Sequence, residues 1–362
     1  MPASPRRLRR PGRLGVLLAA LLPVLLVLSV RFGSTSAIAD YATVARACLG
    51  ALHLAPALAD SGLQHIVELR LWRALTAAGV GAALGLSGAL VQGLFRNPLA
   101  SPSVLGITGG ASLGAVLAVM WLGGFGARTG MLAERADMGL LIVPLSAFLG
   151  ALVVGAFVWA LASSTGRVSI PALLLVGIAM NTITGGIQQL LQVLVIGDWE
   201  VSRSILAWTF GSLDDRTGWH ALVVWLGVFV ASLAVPWLAW ELDLMQAGLE
   251  DAQALGVHTG RVRLLALCAA SIAAATAVAV AGQIAFVGLV VPHVVRFFSG
   301  SSHRVVLPLS ALAGAVFLVG TDVAQRALLR DVALQPGVVM SLLGGPFFLI
   351  LLWRKRREIE LW

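Results

Sequence analysis

The sequence predicts an all-α polytopic membrane protein of about ten transmembrane helices, with both termini cytoplasmic. Three observations predict it. Of 362 residues, 59% are hydrophobic and only 12% are charged, against about 45–50% and about 25% in soluble domains. The mean hydropathy of +0.93 excludes a disordered chain, which needs the opposite balance. Apolar runs recur along the whole length, each near the roughly 20 residues that a helix needs to cross the hydrocarbon layer. They leave no room for a large soluble domain.

The first run, 14–30, follows the basic stretch RRLRRPGR. It has the look of a signal peptide, with Ala37-Ile38-Ala39 as a cleavage site. Its length exceeds the usual apolar region of about 7–15 residues, so it is read as a retained first span. Residues 33–68 are mixed and weakly amphipathic, and are read as an external loop. Further runs cover 71–94, 104–122, 140–162, 170–196, 219–239, 262–281, 284–298, 305–325 and 336–353. The stretch 262–298 is too long for one span, and Gly282-Gln283 marks the break within it.

With the first run these make ten helices, and an even number puts both termini on one side. Placing them inside gathers 15 of the 25 basic residues there: Arg6, Arg7, Arg9, Arg10, Arg13, Arg96, Arg167, Arg261, Arg263, Arg296, Arg304 and the run Arg354–Arg357. That bias satisfies the positive-inside rule. The chain then reads as one membrane-embedded domain: a cytoplasmic basic N-terminus at 1–13, a bundle at 14–353 and a cytoplasmic tail at 354–362. Gly81-x-x-x-Gly85 and the series Gly106, Gly110, Gly114 each fall on one helix face. Lipid provides no hydrophobic drive between helices, so small residues that let backbones approach supply the packing.

The net charge of +8 would suggest nucleic acid in a soluble domain. Here the arginines sit singly at the ends of apolar runs, where membrane anchors belong, so the lipid bilayer is the expected partner and nucleic acid is not. Lys355 is the only lysine. A P-loop needs a lysine in G-x-x-x-x-G-K-[ST] to reach the phosphates, so the chain is not itself a Walker-type ATPase. Cys48 and Cys268 lie in no metal or redox spacing, and the histidines pair at no metal-ligand spacing. No metal, cofactor or catalytic residue is expected. Asp322 and Arg326 read as an i,i+4 pair near the outer surface. No other acid lies deep, which weighs against an ion-coupled secondary transporter, the alternative reading. A second alternative is an intramembrane serine protease, with Ser87 of Gly85-Leu86-Ser87-Gly88 as nucleophile and His293 as base.

Three segments are more specific than generic bundle sequence. They are RLWRALTAAGVGAALGLSGALVQGLFRNPLASPSVLGITGGASLGA at 70–115, LEDAQALGV at 249–257, and AVAGQIAFVGLVVPHVVRFFSGSSHRVVLPLSALAGAVFL at 279–318 followed by QPGVVMSLLGGPFFLILL at 335–352. Together, over about 66–357, they resemble the FecCD-type permeases, the membrane subunits of ABC importers for iron-siderophores, haem and cobalamin. Trp72 stands where that family often has proline in R-L-P-R. The resemblance implies a permease fold of the cobalamin-permease type with ten helices per subunit. It implies a second permease subunit (a copy of this chain or a paralogue), two cytoplasmic ATPase subunits and an external substrate-binding protein, assembled in a bacterial cell membrane. Ferric siderophore, the commonest cargo of the family, is the expected substrate.

The same resemblance assigns roles to residues. Arg70, Arg73 and Arg326 match positions that receive acidic residues of the binding protein, a task suited to the rigid guanidinium fork. Residues 241–257 form a polar helix–turn–helix-like insert that fits a groove on the ATPase, with Leu249, Glu250, Asp251, Ala254, Leu255 and Gly256 as the coupling residues. Gly256 is expected to end the first short helix. The fifth span carries Asn181, Thr182, Thr184, Gln188, Gln189 and Gln192. A period of 3.6 places Asn181, Thr184 and Gln188 on one stripe, as a water-filled path requires. The resemblance makes this helix the translocation pathway, with 163–169 and the amphipathic stretch 199–211 as its gates.

Overall fold

The computed structural model describes residues 11–33, 41–56, 58–122, 133–163, 170–328 and 334–359, and every regular element among them is helical. In chain order these are α1 (Pro11–Arg31), α2 (Tyr41–Ala51), α3 (Ser61–Leu94), a 3-10 turn (Pro102–Leu105), α4 (Ile107–Leu122), α5 (Ala133–Ala162), α6 (Ile170–Leu194), α7 (Trp199–Phe210), α8 (Gly218–Leu233), α9 (Val235–Ala247), α10 (Leu249–Ala254), α11 (Thr259–Ala281), α12 (Val287–Ser299), α13 (His303–Leu328) and α14 (Pro336–Ile359). Six helices are long and apolar enough to cross a membrane. The pair α8 and α9, bent by 53°, makes a seventh if taken as one span, and Ile107–Leu122, Val287–Ser299 and Pro336–Ile350 are shorter apolar helices. Together they occupy the ten predicted runs.

The bundle is organised around α3. Its most apolar stretch is 94% buried, against 11% for α1. It packs against α13, α11, α8 and α12, while α4 pairs with α5 and α6 beside them. Glycine permits the closest of these contacts. A Cβ at Gly81 would collide with the carbonyl of Gly314, and one at Gly85 with the carbonyl of Ser310, so α3 and α13 touch backbone to backbone. Large apolar side chains such as Leu145, Phe157, Leu222 and Phe229 are exposed on the outer helices. A surface of that kind belongs in lipid.

Four expectations are corrected. Residues 33–68 are not one loop: α2 lies within them and α3 begins at Ser61, where the Asp60 side chain accepts from the Leu63 N–H at 3.0 Å as an N-cap. At about 1.5 Å per residue, 34 residues exceed a hydrocarbon layer of roughly 30 Å. A helix of that length has room for Gln64, His65 and Glu68 outside the apolar stretch. The run 219–239 is broken at Ala234, because Pro236 opens a new helix. Residues 241–247 are the end of α9 rather than a separate insert, and only Leu249–Ala254 forms the short helix beyond them. The end helices also overrun the bounds drawn at 14 and 353, since α1 starts at Pro11 and α14 reaches Ile359. Ala37-Ile38-Ala39, Arg167 and most of the proposed 163–169 gate lie outside the described residues.

Candidate functional site

One end of the bundle carries the charges. Arg70 and Arg73 lie in the first third of α3, Asp322 and Arg326 one turn apart in the last third of α13, and Asp214 and Asp215 in the segment joining α7 to α8. Arg70, Arg73, Arg326, Asp214 and Asp215 line one cleft of about 290 Å³, floored by Ile66, Leu69 and Leu213. The three predicted docking arginines are thus brought together, across more than 250 residues of sequence.

Their guanidinium groups are already engaged. Asp322, 1% exposed, accepts from Arg73 Nη2 and from Arg326 Nη2, each at 2.7 Å. Arg73 Nε adds bonds of 3.1 and 3.2 Å to the same carboxylate. The expected i,i+4 pair is therefore half of a three-residue bridge between α3 and α13. Arg73 Nη1 also pairs with Asp214, whose side chain is 63% exposed. The two other arginines close the end of α1, whose last carbonyls have no intrahelical donor. Arg70 Nη1 donates to the carbonyls of Val30 and Arg31 at 3.2 and 3.1 Å. Arg326 Nη1 donates to those of Ser29 and Phe32 at 3.1 and 2.7 Å. These contacts tie α1 into the bundle. In the same segment as Asp214, Arg216 donates to the Ser212 carbonyl from Nε and Nη2 at 3.3 and 3.2 Å. Burial pushes its guanidinium down, to about 10, against the opposing pull of Asp214 and Asp215.

At the other end lies the predicted coupling segment. Gly248 is extended and breaks α9 from α10. Within α10, Leu249, Glu250 and Asp251 form the first turn and Ala254 the last residue, while Leu255 caps it and is 70% exposed. Gly256 follows at φ +87°, the left-handed region that favours glycine. Ala252 alone of α10 is buried, so the short helix presents its polar face outward. From Arg73 to Gly93, at the far end of α3, is 20 residues, about 30 Å. The arginine cleft and α10 sit at opposite ends of the bundle.

Helix α6 keeps the predicted stripe on one face, but the face turns inward. Thr184 and Gln188 are 2% and 7% exposed. Thr184 Oγ1 donates to the Met180 carbonyl at 2.8 Å, and Gln188 Nε2 to Thr209 Oγ1 of α7 at 3.2 Å. Asn181 sits at the edge, with Nδ2 donating to the Ser103 carbonyl at 2.7 Å. The outward face instead carries Thr182, Gly186 and Gln189 between Ile178, Ile187 and Leu190. A depression of about 310 Å³ lined by Ser103, Val104, Ile178, Asn181 and Thr182 opens on that side. Helix α7 is amphipathic, burying Val201, Ile205 and Trp208 while exposing Trp199, Leu206 and Phe210.

The protease pair finds no support in this geometry. Ser87 is fully buried and donates its hydroxyl to the Ala270 carbonyl of α11 at 2.7 Å, while His293 stacks edge-on against Phe347 of α14. Among the described residues no group of three His, Cys, Asp or Glu could hold a metal ion.

Residues 17–354 match the FecCD transport family. A cobalamin import system permease of Halobacterium salinarum is 40% identical over 81% of this chain and 73% of its own length. A hemin transport system permease of Yersinia pestis is 37% identical over 83% and 86%. An Fe(3+)-citrate import system permease of Bacillus subtilis is 32% identical over 99% and 100%. Among solved structures, a chain of a transporter described as metal-chelate ABC type, in an inward-facing conformation, superposes with a TM-score of 0.77. It is 27% identical and covers 95% of this chain and 99% of its own.

Proposed function

The chain belongs to the FecCD transport family, and from that premise we propose that it is the permease subunit of an ATP-driven importer in a bacterial cell membrane. Its cargo is a ferric siderophore, within a family whose relatives carry names for cobalamin, hemin and Fe(3+)-citrate import. An external binding protein delivers the cargo to the arginine cleft, a second permease subunit completes the pathway, and two ATPase subunits engage α10 from the cytoplasm. Transport proceeds by alternating access, and the chain contributes no catalytic residue.

The observation that carries this reading is the separation of two unlike surfaces by one helix. Arg70 and Arg73 of α3 line a cleft shared by three arginines and two aspartates, and the far end of α3 lies about 30 Å away beside α9, which runs into the acidic first turn of α10. Guanidinium groups suit the carboxylates of a protein partner, because charge complementarity steers and orients docking. The path between them is assigned to the outward face of α6, with Thr182 and Gln189 as its polar groups and Asn181 at its edge. Thr184 and Gln188 hold α6 and α7 in place behind it.

Reconstitution in proteoliposomes tests the proposal. Uptake of a ferric siderophore is expected only when the ATPase subunits, ATP and the binding protein are all present. Uptake by this chain alone, driven by an ion gradient, would overturn it in favour of secondary transport.

A further inference from the structure

The end of α9 and the start of α13 meet through one carboxylate. Asp243 Oδ1 accepts from the backbone N–H of His303 at 2.6 Å and from its Nδ1 at 2.7 Å, and Asp243 Oδ2 accepts from Ser302 Oγ at 2.8 Å. The first N–H groups of a helix lack intrahelical acceptors, and its N-terminus favours a negative charge. A residue at Ser302 would ordinarily cap its own helix. Here its hydroxyl is turned to α9, and Asp243 caps α13 from outside.

The imidazole is locked by this arrangement. A carboxylate accepting from Nδ1 requires the proton on that nitrogen, and the ring is 1% exposed. Its far edge presses on α3 at Gly93, where an added Cβ would come within 2.5 Å of Nε2. Three helices therefore converge on one residue. Two of them, α3 and α13, are joined again at Gly81–Gly314, at Gly85–Ser310 and through Asp322. From His303 to Asp322 is 19 residues of continuous helix, about 28 Å, with Pro308 in its second turn. The α3–α13 pair is a rod from this clamp to the arginine cleft. The third helix, α9, continues four residues past Asp243 to Ala247, and Gly248 then leads into α10.

We propose that the Asp243–His303–Ser302 clamp is the joint through which displacement of α10 moves the α3–α13 rod, making Asp243 a positioning residue for coupling ATP hydrolysis to transport. The proposal rests on the importer reading of α10. With the clamp closed, a push on α10 carries the start of α13 and, through the rod, the outer cleft. With it open, α10 swings on the extended backbone at Gly248 and the motion is lost before it reaches α13.

The test uses the full complex, with ATPase subunits and binding protein, in proteoliposomes where hydrolysis and uptake are measured together. The wild type is read first: if it shows no ATP-dependent uptake, the importer reading fails and the clamp is not at issue. Given a working wild type, Asp243→Ala is expected to keep hydrolysis near the wild-type rate while uptake falls about ten-fold, within the usual range of coupling between sites. His303→Ala, which removes only the Nδ1 bond, should lower uptake in the same direction by a smaller factor, and the double variant should be no worse than Asp243→Ala. His303→Asn, which keeps a side-chain N–H near the position of Nδ1, should restore most of the uptake. Unchanged uptake per ATP in Asp243→Ala, or hydrolysis and uptake falling in parallel, overturns the proposal. Should Asp243→Ala fail to assemble, Asp243→Asn and Ser302→Ala are read by the same two criteria.

Discussion

Replacing Asp322 by asparagine removes the one charge that holds two arginines inside the outer end of the bundle. The side chain is 1% exposed, and its two oxygens accept from Arg73 and Arg326 at 2.7 Å each. Asparagine keeps one acceptor and turns an amide donor toward a second guanidinium. Hydrogen bonds to charged groups are worth about 1.5–3 kcal/mol each, and breaking a buried ion pair from one side costs about 3–5 kcal/mol. The expected destabilisation is therefore about 3–5 kcal/mol. Asp214→Asn is the internal control. It removes a carboxylate from the same Arg73, but one that is 63% exposed, so its effect on stability should stay below about 1 kcal/mol. Both variants would be purified in detergent and their loss of monodisperse protein followed against temperature. A large downward shift for Asp322→Asn beside a small one for Asp214→Asn is expected. If the two variants melt alike, Asp322 is not the keystone of the α3–α13 contact. The same logic bears on charge reversal of the cleft. Arg73→Glu would set a second carboxylate against a buried one, so it should disturb assembly as well as docking.

Three further outcomes are expected. Asp214→Ala frees Arg73 for a partner's carboxylate, so the binding protein should bind up to about five-fold more tightly, the worth of one exposed ion pair; weaker binding in a titration would count against the cleft as a docking surface. In a background with Cys48 and Cys268 replaced, Thr182→Cys and Gln189→Cys should react with a water-soluble thiol reagent and Thr184→Cys and Gln188→Cys should not, and the reverse pattern would return the pathway to the inward stripe. Gly314→Leu must push α13 off the Gly81 carbonyl, and overpacking of a close contact costs about 1–3 kcal/mol or more; wild-type yield and thermal stability would refute the backbone-to-backbone contact.

The membrane part of the fold was legible because a span is written in consecutive residues. Composition and run length located ten apolar runs, and helices occupy all of them. Elements outside the apolar layer were harder, since their signals are local and polar. The start of α3 was readable in principle from Asp60 as an N-cap, but the apolar run begins nearly three turns later and drew the boundary there. The α6 stripe shows a different limit. Periodicity fixes which residues share a face and says nothing about where the face points. That the Thr184 hydroxyl bonds back to the Met180 carbonyl is not visible in the stripe. Asp322 was read with its sequence neighbour Arg326, while its second partner, Arg73, is 249 residues away. Asp243 was the largest omission. It had a signal: an acid flanked by Leu242, Leu244 and Met245 near a helix end, and Ser-Ser-His at a helix start with no acid of its own in the first turn.

The scarcity of charge now has a structural meaning for how the cleft can be read by a partner. A guanidinium already bonded inside the protein is available only at the cost of the bond it gives up. Arg70 and Arg326 hold the terminal carbonyls of α1, and their release would leave those acceptors unpaired in a partly buried place. The Arg73–Asp322 bond is buried, and breaking it isolates a carboxylate. The Arg73–Asp214 pair differs, because one partner is mostly exposed and water can replace what it loses. Among these contacts, the incoming acid should therefore exchange first with Asp214. That exchange removes one tie on the segment directly after α7, which stays anchored by the Ser212 N–H on the Ala281 carbonyl and by the buried Leu213. Under the proposed docking role, the cleft reaches α7, and through Gln188 the helix α6, by way of this one exposed ion pair. The buried ones keep the scaffold fixed while it changes hands.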